Sequence, residues 1–299
     1  MNASQVATVP FVEADLAYID AAFGPTTIYE YQREATTHHY DPHRVRIHDA
    51  RAERGLSLDR NGFTLIEHRS AVGDFRDPEQ VHRLYYPEVE RLVAEITGAE
   101  KVVVFGDVYR TDDPNRAPLI PPAPGARSDQ VFSDSARGGG TVPPLQAHEP
   151  ANNPHIDFNE KTMRRMAAEM LGPEAPKYAD RRVVLINLWR GIEPVERKPL
   201  AVCDASTVAQ QDLVLGLIGT RPEDPSDFLE GFNVAYSPKH RWYYYPRMRP
   251  DELLVFKLCD SDRARPQLTA HTAFDDPSSA PGARPRRSLE IRTISFLPN

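Results

Sequence analysis

The chain predicts a mainly β fold with flanking helices, its short antiparallel strands closing into a jelly roll. Three observations carry that expectation. Proline makes up 28 of 299 residues, nearly twice the usual share of about 5%, which disfavours helical bundles because proline lacks the amide proton that an interior helical turn needs. Short β-branched and aromatic runs recur beyond residue 180, separated by Pro- and Gly-bearing turns. Clear helical periodicity is confined to two segments.

The first of these runs from Asp77 to Gly98. Asp77 suits a cap, Pro78 the first helical position, and Val81, Leu84, Tyr85, Leu92 and Ile96 recur at helical spacing until Gly98 ends the run. Lys101–Phe105, reading KVVVF, is β-branched and apolar enough for a buried strand. Between Tyr109 and Pro154 the texture changes, with nine prolines, three consecutive glycines at Gly138, Gly139 and Gly140, and few large apolar residues. Such a stretch reads as a long loop, either a lid over a site or a plain insert. Its glycines are not a phosphate loop, since no Gly-Lys-Ser/Thr follows them.

The second helix spans Glu160 to Leu171, where Met163, Met166, Ala167, Met170 and Leu171 form one stripe, better suited to a core than to a cofactor. Strands are expected at Val183–Trp189, Phe232–Tyr236, Arg241–Tyr245, Leu253–Leu258 and Ser288–Phe296. The whole of 1–299 reads as one domain: a mixed α/β extension over 1–108 packing on the core, a Pro/Gly-rich loop or lid over 109–154, and a jelly-roll core with the metal site over 155–299.

Thirty-six basic against 43 acidic residues leave a net charge of -7, which argues against a nucleic-acid partner. No run approaches the roughly 18 apolar residues of a membrane span, and the first residues lack a basic segment followed by an apolar one, so a cytoplasmic protein with no membrane partner is expected. Cys203 and Cys259 have neither disulfide nor zinc spacing and read as small buried hydrophobes.

Two of the ten histidines open a His-x-Asp triplet, His39-Tyr40-Asp41 and His155-Ile156-Asp157. On a strand, residues two apart point to the same side, so either triplet could aim an imidazole and a carboxylate at one ion. Two neutral nitrogens and one anionic oxygen on one face of an octahedron leave the opposite face open for a co-substrate and dioxygen. For His155 and Asp157 the better third ligand is His271, just before the last strand, because the alternative His240 sits in a turn-like Ser237-Pro238-Lys239-His240. The cluster His38, His39, His43 and His48 alternates with charged residues and suits a solvated face better than a metal site.

Arg286 and Ser288, two apart, share a strand face, and a guanidinium beside a hydroxyl matches a terminal carboxylate, such as the distal one of 2-oxoglutarate. Asn187, Trp189 and Arg190 end an apolar strand and are pocket candidates, Arg190 also as a cofactor contact, and Phe158, Tyr243 and Tyr245 are further pocket candidates; alternation sends Asn187 and Trp189 to one side, and Tyr243 and Tyr245 together to one side of theirs.

The segments NPHIDFNEKT, VVLINLWRG, PLAVCDAST, HRWYYYPRMRPDELLVFKLCDSD, AHTAFDDP and PRRSLEIR, with IHDAR, LDRNGFTL and YYPEVERLVAEITGAEKVVVF upstream, resemble the iron(II)/2-oxoglutarate-dependent oxygenases of the CmcJ, NvfI, AsaB and gibberellin-desaturase type. The resemblance covers nearly the whole chain. It implies a double-stranded β-helix with Fe(II) on His155, Asp157 and His271, and 2-oxoglutarate anchored by Arg286 with Ser288 beside it. It also implies a pocket lined by Asn187, Trp189 and Arg190. Dioxygen and 2-oxoglutarate would be co-substrates, and hydroxylation, desaturation or related chemistry on a C–H bond of a small secondary metabolite the outcome. This chain departs from that family with Phe158 and Asn159 where tyrosine and threonine are usual, and with Gly191 where proline is common. Retention of Asp157 disfavours halogenation. A metal-dependent hydrolase and a non-catalytic jelly-roll binding protein are the two rival classes.

Overall fold

The computed structural model describes residues 10–29, 31–120, 145–219 and 228–298. In chain order its strands are β1 (Phe11–Ile19), β2 (Thr26–Tyr29), β3 (Tyr40–Asp49), β4 (Phe63–Glu67), β5 (Lys101–Thr111), β6 (Ala147–His148), β7 (His155–Ile156) and β8 (Arg182–Gly191). They continue with β9 (Leu200–Cys203), β10 (Leu213–Gly219), β11 (Leu229–Val234), β12 (Trp242–Tyr244), β13 (Glu252–Asp260), β14 (His271–Ala273) and β15 (Arg287–Leu297). One sheet has the order β1-β3-β12-β9-β14-β7-β11-β10-β2 and the other β4-β13-β8-β15-β5-β6. Most pairings are antiparallel, as the jelly-roll expectation requires.

Strand alternation then sorts the core. On β8, Leu185 and Trp189 face the space between the sheets, where they meet Phe63, Phe105, Phe158, Val202, Tyr243 and Phe256. Val184, Ile186 and Leu188 face outward and are covered by the first helical segment, through Val81, Tyr85, Val89 and Val93. Burial on both faces is why β8 reads as an uninterrupted apolar run instead of an alternating one.

That helical segment comprises α1 (Pro78–Gln80), a π turn at Val81–Tyr85 and α2 (Tyr86–Thr97). Asp77 accepts from the amides of Glu79 and Gln80, and Gly98 closes α2 with φ 72°. Helix α3 (Glu160–Leu171) buries Met163 and Met166 in the inner core, as its stripe predicts. Asn159 earns its place as the α3 cap, accepting from the Thr162 amide at 2.9 Å.

The N-terminal third hydrogen-bonds into both sheets: β1, β2 and β3 join the nine-stranded one, and β4 and β5 the six-stranded one. It is woven into the core where the sequence suggested an extension packed upon it. The expected loop after residue 108 begins later, because β5 continues to Thr111. Of the lid expected over 109–154, residues 121–144 lie outside the described part. Strands β1, β2, β3, β4, β6, β9, β10 and β14 fall outside the expected ones; β3 carries a proline and a string of charges, and β9 and β14 are three or four residues long. Both cysteines are buried free thiols, and among the described residues no helix is long and apolar enough to cross a membrane.

Candidate metal centre

β7 and β14 are neighbours in the larger sheet, and His155 and His271 are direct cross-strand partners. Their rings stand 4.3 Å apart. Asp157, just past the end of β7, has its Oδ1 3.4 Å from Nε2 of His155 and 3.8 Å from Nε2 of His271. One ligand atom from each of the three lies within 4.8 Å of the others, and no other such group of three occurs among the described residues. The Nδ1–H of His155 donates to the Asn153 carbonyl at 2.8 Å, and that of His271 to the Thr269 carbonyl at 3.2 Å. These bonds fix the tautomer that presents Nε2, the arrangement metal-binding imidazoles need.

The electrostatics suit a divalent cation. Burial, with help from nearby His155, pushes His271 down to about 4, so it is a neutral donor at neutral pH. Burial alone would raise the Asp157 carboxyl, yet Arg292, His155 and His271 together hold it well below the usual carboxylate range.

Asn153 itself is anchored, its amide donating to Oδ1 of Asn233 at 2.7 Å, while Nδ2 of Asn233 donates to Oγ1 of Thr26 at 2.6 Å. β11 crosses β7 so closely that a Cβ on Gly231 would lie 2.4 Å from the Ile156 carbonyl oxygen and 2.5 Å from that of Asp157.

On β15 the even-numbered residues face inward. Arg286, just before the strand, is buried with Ser288, Glu290 and Arg292. The Arg286 guanidinium donates to the Lys198 carbonyl at 2.8 Å and sits over the Trp189 ring at 5.5 Å. Lys198 adopts φ 49°, a left-handed conformation uncommon for a side-chain-bearing residue. Burial and the nearby Arg110 push Arg286 down to about 9, which leaves it a cation at neutral pH. A narrow recess of about 10 Å³ joins Arg286, Trp189 and Glu290 to His155 and His271. Nε of Arg286 and both amide atoms of Asn187 are buried without a hydrogen-bond partner among the described residues. The orphaned Nε of Arg286, bordering the recess, is a donor that a bound carboxylate would satisfy.

A larger cavity of about 400 Å³ opens from the same centre. Asp157, His155, Phe158 and Arg292 line it together with Ile28, His38, Tyr40, Leu217, Leu229 and Phe232.

Five expected site residues, Asn187, Arg190, Tyr243, Tyr245 and Ser288, line neither cavity. Arg190 is on the outward face of β8, its guanidinium 3.0 Å from Nδ1 of His68 and 4.7 Å from the Phe75 and Tyr85 rings. The alternation that turns Asn187 and Trp189 inward turns Arg190 away. Tyr243 packs on Phe63, and Tyr245 lies beneath Arg51, both within the core and outside either cavity. Conversely, His38, Arg110, Glu290 and Arg292 border these cavities although the sequence reading gave them no place there.

Two facing sheets with a His-x-Asp and distal His triplet between them define a class, the non-haem metal oxygenases of jelly-roll architecture. A family model described as an oxidoreductase/YMDC permease-like domain matches residues 16–296. The chain is 31% identical over 266 residues to the hydroxylase/desaturase efuI of Hormonema carpetanum, covering 86% of this chain and 84% of that one. It is 27% identical over 270 residues to the Fe(II)/2-oxoglutarate-dependent dioxygenase nvfI of Aspergillus novofumigatus, covering 86% and 84%. A solved structure of the iron and alpha-ketoglutarate-dependent endoperoxidase NvfI superposes with a TM-score of 0.75 at 25% identity, covering 97% of this chain and 99% of that one. The chain belongs to this family of Fe(II)/2-oxoglutarate-dependent oxygenases.

Proposed function

We propose that His155, Asp157 and His271 hold Fe(II), that Arg286 with Ser288 anchors the far carboxylate of 2-oxoglutarate, and that the cavity beside Phe158 receives the substrate. The observation that carries this reading is the convergence of two Nε2 atoms and one carboxylate oxygen within 4.8 Å. Iron and 2-oxoglutarate, once bound, supply the oxidising chemistry with dioxygen, releasing succinate and carbon dioxide. The protein's own part is placement. His155 and His271 are oriented by backbone carbonyls so that each presents Nε2 to the centre. Arg286 stays charged in a buried setting where a carboxylate partner is worth most. The recess holds little more than one water, so entry of a five-carbon dicarboxylate requires Arg110, Leu200 or the main chain at Ala151 to yield.

The substrate reading follows from the lining. Ala17, Ile28, Leu217, Leu229 and Phe232 offer an apolar wall, and His38, Tyr40, Asn153 and Asn233 offer hydrogen-bonding groups. That combination fits a small molecule with an apolar body and a polar edge, oxidised at a C–H bond by hydroxylation, desaturation or related chemistry. Two buried free thiols fit a cytoplasmic setting. The test is anaerobic addition of Fe(II) and then 2-oxoglutarate. A visible metal-to-ligand charge-transfer band is expected, lost in Asp157→Ala. Protein that develops no such band while binding zinc would instead be a hydrolase.

A further inference from the structure

Beside the three metal-binding candidates runs a ladder of buried charge that the reading above does not use. Nη2 of Arg292 lies 3.1 Å from Oδ2 of Asp157 and 2.6 Å from Oε1 of Glu290. Nε of Arg110 continues the ladder, 3.6 Å from Oε2 of Glu290. Phe158 lies beneath the Arg292 guanidinium at 5.5 Å. The two oxygens of Asp157 therefore have different neighbours: Oδ1 faces the Nε2 atoms of both histidines, and Oδ2 faces Arg292.

A carboxylate beside a divalent ion can bind through one oxygen or through both, and the second mode consumes a position that a small molecule could take. We propose that Arg292 is a positioning residue that restricts Asp157 to one-oxygen ligation, keeping a coordination position open beside the substrate cavity. This rests on His155, Asp157 and His271 being the metal ligands. Glu290 on one side and the Phe158 ring below hold the guanidinium beside Oδ2, at the wall of the larger cavity. Arg110 in turn faces Glu290, so within this ladder two carboxylates, of Asp157 and Glu290, meet two guanidinium groups, of Arg292 and Arg110.

Mn(II) is a suitable probe, because the water-proton relaxivity of Mn(II)-loaded protein scales with the exchangeable waters on the ion. An octahedral ion with three one-atom protein ligands keeps three such positions. In Arg292→Gln the freed Oδ2 should take one of them, lowering the relaxivity of the bound ion to about two thirds of wild type. Arg292→Met keeps a long side chain but neither charge nor donor beside Oδ2, and should also fall; it carries the test if the glutamine variant does not fold. Wild-type relaxivity in either folded, Mn(II)-loaded variant overturns the proposal. If instead wild-type protein binds no Mn(II), or His271→Ala binds it equally well, the ligand assignment itself has failed.

Discussion

His155 on β7 and His271 on β14 are cross-strand partners although 116 positions separate them in the chain. The jelly roll makes that meeting, by returning a late strand beside an early one, and the ring separation of 4.3 Å lets both Nε2 atoms reach one ion with Asp157. Removing either imidazole or the carboxylate leaves two ligands. We expect His271→Ala to lower Fe(II) affinity by more than about 100-fold, beyond the 10- to 100-fold typical of outer-shell changes, and to abolish succinate formation. An anaerobic Fe(II) titration with succinate assay checks both.

Arg286 and Arg190 separate co-substrate binding from packing. A buried carboxylate that loses its charged partner forfeits about 2–5 kcal/mol, so Arg286→Ala should raise the 2-oxoglutarate KM by more than tenfold. Arg190→Ala should leave that KM unchanged and lower the melting temperature, because its guanidinium rests on Phe75 and Tyr85 outside the jelly roll. Steady-state kinetics with thermal melts of both variants decide it; a KM effect in Arg190→Ala instead would move the anchor.

The metal triplet was legible because it needs only a strand period of two and one distal histidine. Arg190 was misplaced by giving a whole Asn-x-Trp-Arg motif one direction, when the same period allows Asn187 and Trp189 together but not Arg190. Glu290 and Arg292 were hidden for a different reason. A basic strand such as PRRSLEIR reads as solvated, and only the fold shows that its inward charges are buried against Asp157 and Arg110. His38 was likewise masked by a polar, histidine-rich stretch. The short strands β9 and β14 hold too few residues for any period to register, so their register came from the sheet around them.

Asp260 gives the pH dependence of stability. Burial raises its carboxyl, but the hydrogen bonds from Arg182 at 2.6 and 2.9 Å and from Lys257 at 2.9 Å outweigh that and hold it below the usual range. A depressed folded value means the stabilisation is complete above the unfolded value of about 3.9 and is lost as pH falls through the folded one. Asp260→Asn leaves the buried Lys257 ammonium without its closest carboxylate, at a cost of about 3–5 kcal/mol near neutrality. In urea denaturation the gap between wild type and Asp260→Asn should be widest near pH 6 and narrow below about pH 4. A gap that stays constant through acid would contradict the assignment.

Asn233 tests the support behind the metal candidates. Its side chain ties the Asn153 segment, whose carbonyl orients His155, to Thr26 on β2. Asn233→Ala leaves two polar groups short of partners, about 1–3 kcal/mol each when buried, and should lower metal affinity by roughly tenfold. Zn(II) or Mn(II) calorimetry alongside a thermal melt measures both effects.

Gly231 places the sharpest constraint on the centre. A methyl group there would sit 2.4 Å from the Ile156 carbonyl oxygen and 2.5 Å from that of Asp157, both backbone atoms that no rotamer change can move aside. The strand pairing holds β11 against β7 through Phe232 opposite Ile156 and Asn233 opposite His155, so relief must come from moving the end of β7 outward. That end carries Asp157. The rest of the sheet is held independently, with β10 paired along the other edge of β11, so the fold should survive with moderate destabilisation. We therefore expect Gly231→Ala to keep its circular dichroism spectrum while metal affinity falls about 10- to 100-fold, the size of an outer-shell effect. Wild-type metal affinity in Gly231→Ala would mean that β7 can shift without carrying the carboxylate out of place.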